Sequence, residues 1–526
     1  MRRRYYLFLI LIILGLHIFL NYQILEKSGF ARTDDEGGLI IGGLNYYRMM
    51  FLESGNNLID KLGHISKLYG QCHPHFVEFM ELSTWKILSL FKIMGINPMI
   101  LTINSIFFII LLLSTYKIGS IIYNKNIGIF SAGLISMFPL VFGHSRVMLL
   151  DYPLMCMISL GFYLLLKTNK FSSTLYSIFL GIIFGLSQLT KETAFIFILG
   201  PLIYYFFKSY SANNKKKMLL NFTITITFFL ILSGIVYFRL ENLDAFRIYF
   251  GKTCFIKKNL DPFYYLKNFI EIVGPFILIA SLPLLVQYLV NIKRREKMLL
   301  IWFVIPLILF SISPNKAVRF ILPILPAFAL IVSSEISNIN LSKMFKRVFY
   351  ILLILISILQ YAYFNAGILD TKLKNPYFEV GILSIKKDKY SSDAIKLLDI
   401  FRKEAKLNSS SANKNILFLF NIGEIHWPFW LDIYLHKLPF NAFIFMQTDE
   451  VEVRNTYRVD WREKILMADY IVDKTGVKCR NNCAKHILEG LEEGFVKYRN
   501  KFELIADIKL SYDNSTACVY KKVNCN

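Results

Sequence analysis

The sequence predicts a polytopic α-helical membrane protein of about 11 transmembrane helices, followed by a small C-terminal extracytoplasmic α/β domain. Three observations predict it. The 526 residues are 55% hydrophobic and 16% aromatic, too apolar for an ordinary soluble protein. Apolar runs approaching the ~20 residues that cross a bilayer as helix recur through the first two thirds of the chain. Beyond residue 366 these runs stop and charges become frequent.

The net charge of +23 raises nucleic acid as a partner. The Lys and Arg residues fall in short clusters between spans, however, which the positive-inside rule accounts for. No nucleic-acid module is present.

Taken in order, Met1-Arg2-Arg3-Arg4 and residues 5–25 have the charge order of a signal peptide. The apolar run is too long for one and no small-residue cleavage site follows it. It reads as a retained first span with a cytoplasmic N-terminus. Residues 28–98 form an outer segment holding Arg32-Thr33-Asp34-Asp35-Glu36, then His73-Pro74-His75, then an amphipathic interfacial helix over about 75–95. Spans two to eleven follow at about 99–123, 127–142, 152–167, 174–189, 193–208, 218–238, 272–291, 298–312, 320–337 and 348–366. In this arrangement the strongest basic clusters, at the N-terminus and at 215–217, 293–297 and 343–347, share the cytoplasmic face. The polar stretches 34–36, 73–75, 146–151, 190–192 and 316–319 share the opposite one.

Residues 367–526 divide into a linker with a helix over 371–414 and a small α/β domain. Ile416–Phe420, Ala442–Phe445, Tyr470–Val472 and Ala517–Tyr520 read as short strands, with a helix near 482–499. Cys479, Cys483, Cys518 and Cys525 lie here and are candidates for disulfides in an oxidising compartment.

The outer face combines carboxylates with cations. A carboxylate within hydrogen-bond reach acts as a general base towards a hydroxyl, and Asp34, Asp35, Glu36 and Asp151 supply carboxylates. Basic side chains stabilise a departing phosphate, and Arg146, Lys191, Lys316 and Arg319 supply cations, with His73 able to serve either polarity. Each has a plainer alternative. Asp34–Glu36 fit a solvated loop, and Asp151 before Tyr152-Pro153 fits a helix N-cap. Lys191 fits a snorkelling helix end, Arg319 an interface anchor, and His73 an interfacial histidine. Their clustering on one face favours chemistry.

In order and spacing, these features resemble the GT-C glycosyltransferases that use polyprenyl-phosphate sugars. The groups they are most similar to are protein O-mannosyltransferases, lipid A aminoarabinose transferases and bacterial RgtA/B/C/D-like enzymes. The family's Asp-Glu pair in the first outer loop is matched by Asp35-Glu36, and its Lys/His-Pro-Pro element by His73-Pro74. Its Ser-Arg-x4-Asp is matched by Ser145-Arg146 and Asp151, its Gly-Leu-x-x-Leu-Thr-Lys by Gly185–Lys191, and its late Arg and Pro-rich span by Arg319 with Pro323 and Pro326. His75 replaces the family's second Pro, and Asp34 adds a third carboxylate. The resemblance covers residues 1–366 and implies a GT-C-like transmembrane catalytic domain.

The resemblance further implies a glycosyltransferase of the cell (inner) membrane. A polyprenyl-phosphate-linked sugar is the donor and a hydroxyl of a lipid, protein or glycan the acceptor. Asp35, Glu36 and Asp151 are the catalytic candidates; Asp34, His73, Arg146, Lys191 and Arg319 are the substrate-binding ones. GT-C families with and without a metal are similar to this chain, so a divalent cation held by Asp35, Glu36 or Asp151 stays open. The rival readings are a transporter or flippase of a lipid-linked or anionic solute, and a polysaccharide ligase or polymerase. The acidic groups lie at the outer face rather than mid-span, and no internal repeat is present, which disfavours transport.

Overall fold

The computed structural model describes residues 2–28, 34–51, 76–93, 95–210, 214–237, 260–291, 293, 295–314, 316–338, 342–365, 389–407, 414–418, 440–444, 465–475, 495–509 and 516–523. The chain falls into two compact units. The first comprises Met1–Lys27, Gly42–Lys252 and Lys258–Lys386; the second comprises Ser28–Ile41, Thr253–Lys257 and Lys387–Asn526.

Every expected span falls on a helical segment. They are α1 (Arg2–Ser28), α4 (Ile96–Ile122), α5 with α6 (Lys125–Ser136, Pro139–His144), α7 (Asp151–Lys167), α8 (Thr174–Thr190), α9 (Ala194–Ser209) and α10 (Lys215–Tyr237). Then come α11 with α12 (Tyr264–Val273, Pro275–Val290), α13 (Lys297–Ile312), a 3-10 turn (Val318–Ile324) running into α14 (Leu325–Asn338), and α15 (Lys343–Asn365). Among the described residues, 5 helices are long and apolar enough to cross a bilayer unaided, or up to 6 if the bent α11–α12 pair is one span. The figure of about 11 therefore includes helices too short to cross alone and straight.

Three of the spans are broken for identifiable reasons. Between α5 and α6, Phe138 precedes Pro139 and is extended (φ −69°, ψ 129°), as a residue before proline prefers. Between α11 and α12 the chain bends by 117° at Gly274, whose φ is +88°. The Gln360 side chain of α15 fills the space a side chain at Gly274 would take, and its Nε2 donates to the Val273 carbonyl at 2.9 Å. The 3-10 turn contains Pro323, whose carbonyl accepts from Trp302 Nε1 at 2.9 Å.

The described part of residues 28–98 is more helical than the sequence suggests. Residues Asp34–Phe51 form helix α2, so the acidic stretch is the first turn of a helix, not a loop. Carboxylates there are favoured by the helix dipole. The amphipathic helix is α3 (Phe76–Leu90), whose buried face mixes the carboxylates Glu78 and Glu81 with Val77, Trp85 and Leu88. Glu78, Glu81 and Trp85 are buried, while Phe79, Ile87 and Leu90 are exposed. Gly43 of α2 lies against the Glu81 side chain with no room for a Cβ, so the two helices approach closely there.

In the second unit, α16 (Lys389–Leu407) accompanies a five-stranded sheet in the order β2-β1-β3-β5-β4. The strands are β1 (Lys414–Phe418), β2 (Phe440–Ile444), β3 (Tyr470–Thr475), β4 (Phe502–Lys509) and β5 (Thr516–Lys522). The first three run parallel; β5 is antiparallel to β3 and β4. Phe401 of α16 and the inward residues Ile416, Tyr470 and Val519 form its core. Glu404 Oε2 accepts from Tyr470 Oη and Lys521 Nζ, each at 2.8 Å, tying α16 to two strands. Sequence reading misses β4. Cys518 is a free buried thiol in β5; Cys479, Cys483, Cys525 and most of the helix expected near 482–499 lie outside the described residues.

Candidate functional site

Three of the expected site residues meet in the first unit. Asp151 opens α7, Lys191 ends α8, and Arg319 lies in the 3-10 turn after α13. Lys191 Nζ stands 2.6 Å from Asp151 Oδ1, and Arg319 Nε 3.5 Å from Asp151 Oδ2. One carboxylate thus faces two cations, one on each oxygen. Lys191 also lies over the Phe320 ring, 4.6 Å from its centroid, with Arg319 at 5.9 Å from the same ring. An aromatic face shared by two cations attracts both. Asp151 and Lys191 are nearly enclosed, and Arg319 is the member that reaches solvent, its side chain 24% exposed.

The plainer alternatives fail for Asp151 and Lys191. Asp151 is the first helical residue; Leu150 occupies the cap position, and no side chain caps the helix. Lys191 does not snorkel outwards, because its amine turns inwards to Asp151. The break between α8 and α9 at Lys191–Thr193 makes this possible, since Lys191 is extended (φ −156°, ψ 137°).

Arg146 sits in a different polar network. It is fully buried; its Nε donates to Asn21 Oδ1 at 2.9 Å and its Nη2 to Tyr361 Oη at 3.4 Å. Its guanidinium lies 5.1 Å from the Phe142 ring centroid. Ser145 Oγ accepts from Asn21 Nδ2 at 2.9 Å and contacts His17 Nε2 at 2.8 Å. Ser145-Arg146 therefore joins α1, α6 and α15, while Asn104 of α4 donates to the Val147 carbonyl at 3.0 Å and fixes the turn leading to Asp151.

His144 was not singled out in the sequence, and it belongs near the cluster. Its Nδ1 lies 2.9 Å from the Leu140 carbonyl. Burial lowers its imidazole to about 4; Asp151 opposes this shift, while Arg319 and Lys191 reinforce it. A histidine just ahead of an Arg motif has no distinguishing sequence signal, and only its burial beside charged groups marks it. In the turn after α13, burial likewise lowers the Lys316 ammonium, against the pull of Asp261.

Asp34, Asp35 and Glu36 stand in the first turn of α2, in the part of that helix belonging to the second unit. Glu36 is buried. His73 lies outside the described residues. Among the described residues, no three His, Cys, Asp or Glu side chains converge to hold a metal ion. Asp151, with a cation on each oxygen, does not fit a metal ligand.

Known proteins match at two levels. Residues 82–237 match the family model of dolichyl-phosphate-mannose-protein mannosyltransferases, and residues 262–374 match that of the Alg9-like mannosyltransferases. No curated protein sequence matches. Among solved structures, the chain is similar to ArnT from Cupriavidus metallidurans bound to undecaprenyl phosphate, at 13% identity and a TM-score of 0.63, covering 98% of both chains. The apo form of the same protein gives a TM-score of 0.61 at 13% identity over 97% of each chain. The archaeal oligosaccharyltransferase AglB from Archaeoglobus fulgidus, in complex with an inhibitory peptide and a dolichol-phosphate, gives 0.54 at 12% identity, over 98% of this chain and 74% of that one. At such identity the likeness establishes a shared fold.

Proposed function

We propose that this multi-pass GT-C membrane glycosyltransferase moves a sugar from a polyprenyl-phosphate donor to an acceptor hydroxyl on the outer face of the cell membrane. The observation that carries the reading is the buried cluster of Asp151, Lys191 and Arg319. It holds two cations against one carboxylate, so it carries a net positive charge in a site largely shielded from water. Such a site stabilises a phosphate that gains charge as it leaves. The polyprenyl phosphates bound to ArnT and AglB support the same donor class.

In this mechanism Lys191 and Arg319 hold the donor phosphate, and Asp151 orients both cations. Asp35 takes the proton of the acceptor hydroxyl, whose oxygen attacks the anomeric carbon from the face opposite the phosphate. The bond between that carbon and the phosphate oxygen breaks, its electron pair leaves with polyprenyl phosphate, and the configuration inverts. Glu36 is a further catalytic group, and Asp34 and His73 are further substrate-binding groups. Arg146, enclosed by Asn21, Tyr361 and Phe142, holds the turn that presents Asp151. The N-terminus is cytoplasmic and the sheet-containing unit extracytoplasmic.

The anomeric configuration of the product tests this reading. NMR of the glycosylated acceptor should show the configuration opposite to the donor's, and Asp35→Asn should form no product while keeping the wild-type melting temperature. Retained configuration, or a fully active Asp35→Asn, rules out the single displacement with Asp35 as base.

A further inference from the structure

The imidazole of His144 is a buried group the mechanism above does not use. It ends the short helix α6, seven positions before Asp151 in the chain. Only 1% of its surface is exposed. Its Nδ1 lies 2.9 Å from the Leu140 carbonyl. A carbonyl oxygen can only accept, so Nδ1 carries the proton and Nε2 presents a lone pair in the neutral ring. That Nε2 is buried and has no hydrogen-bond partner among the described residues. Buried acceptors are rarely left so, because an unmade hydrogen bond keeps its full desolvation penalty.

The surroundings indicate what kind of group completes it. The charges acting on the ring are Asp151, Arg319 and Lys191, the three members of the phosphate-binding cluster. The two cations and the burial hold the ring neutral, so it stays an acceptor across the physiological range. The cluster itself is nearly closed, with Arg319 as its most exposed member. His144 therefore stands within electrostatic reach of both cations assigned to the donor phosphate, with its own acceptor unfilled.

Resting on the donor reading above, we propose that His144 is a further substrate-binding residue, whose Nε2 accepts a hydrogen bond from an O–H of the lipid-linked substrate. Two sources share this chemistry. One is a hydroxyl of the transferred sugar. The other is the P–OH of the departed polyprenyl phosphate, which a phosphate monoester keeps below about pH 6. The sugar-bearing phosphodiester has no P–OH, so the two can be separated.

The test measures the affinity of the purified full-length protein, below about pH 6, for undecaprenyl phosphate and for undecaprenyl-phosphate mannose. Wild type is compared with His144→Phe and His144→Leu, which lack an acceptor, and with His144→Gln, whose Oε1 supplies one. The acceptor-free variants should bind about tenfold more weakly, the size of one lost hydrogen bond, and Gln should recover most of that loss. Weakening confined to the mannosyl lipid assigns the bond to a sugar hydroxyl; weakening with the sugarless lipid assigns it to the P–OH. If Phe and Leu both bind the two lipids as wild type does, or if Gln falls as far as they do at an unchanged melting temperature, the assignment is wrong. A wild type that binds neither lipid overturns the donor reading itself, and His144's role with it.

Discussion

Lys191 Nζ lies 2.6 Å from Asp151 Oδ1, with both side chains more than nine-tenths enclosed. The two residues stand at the start of one helix and the end of the next, 40 positions apart. A buried pair is stable only while both partners are present, because either one alone is an uncompensated charge in a poor solvent.

Asp151→Asn should therefore destabilise the protein by about 3–5 kcal/mol, since Lys191 and Arg319 would then repel each other without a counter-ion. Asp151→Asn combined with Lys191→Met should recover part of the loss. Thermal unfolding in detergent, followed by tryptophan fluorescence, measures both. A double variant no more stable than Asp151→Asn alone would show that the pair is not coupled in this way.

Arg319 is the most exposed member of the cluster, its side chain 24% exposed. Arg319→Ala should lower kcat by about 10²–10³, as expected for a lost stabiliser of developing charge, with a much smaller effect on melting temperature. A rise in KM at constant kcat would instead mean that Arg319 binds the ground state and transition state alike.

Arg146 presents the opposite case. Its forked hydrogen bonds to Asn21 and Tyr361, and its place beside the Phe142 ring, use the planar guanidinium. Lysine cannot reproduce that geometry. Arg146→Lys should cost about 1.5–3 kcal/mol of stability, the range for hydrogen bonds to a charged group. An unchanged melting temperature would mean that the clasp between α1 and α15 contributes nothing.

Gly274 combines a left-handed backbone with a full neighbourhood. Gly274→Ala should destabilise by about 1–3 kcal/mol through backbone strain, on top of the collision with Gln360. Gln360→Ala should relieve the collision only, so the double variant should remain less stable than Gln360→Ala alone. Equal melting temperatures for those two would remove the strain argument.

The helical unit was legible because span-length apolar runs dictate helices whatever their neighbours, and basic clusters mark their ends. Asp151, Lys191 and Arg319 are legible as a set because their order resembles that of the GT-C glycosyltransferases, but not their pairing, which depends on the extended backbone at Lys191. Helix α2 was missed because Gly37, Gly38, Gly42 and Gly43 oppose helix formation locally, whereas packing of Gly43 on Glu81 favours it. Strand β4 was missed for a related reason. It is an edge strand carrying Glu503, Asp507 and Lys509, with a register shift between Leu504 and Ala506 that breaks its alternation. His144 carries no sequence signal beyond its type; its lone pair is defined only by the fold of α6.

The most direct test of the central claim follows a radiolabelled polyprenyl-phosphate sugar in proteoliposomes containing the purified protein and a crude envelope acceptor fraction, with Asp35→Asn alongside. The account predicts that label becomes covalently attached to an acceptor with wild type and not with the variant, while free polyprenyl phosphate accumulates in step. Label that crosses the bilayer with its sugar still on the lipid, and no acceptor product, would contradict the account and identify a transporter of lipid-linked sugar.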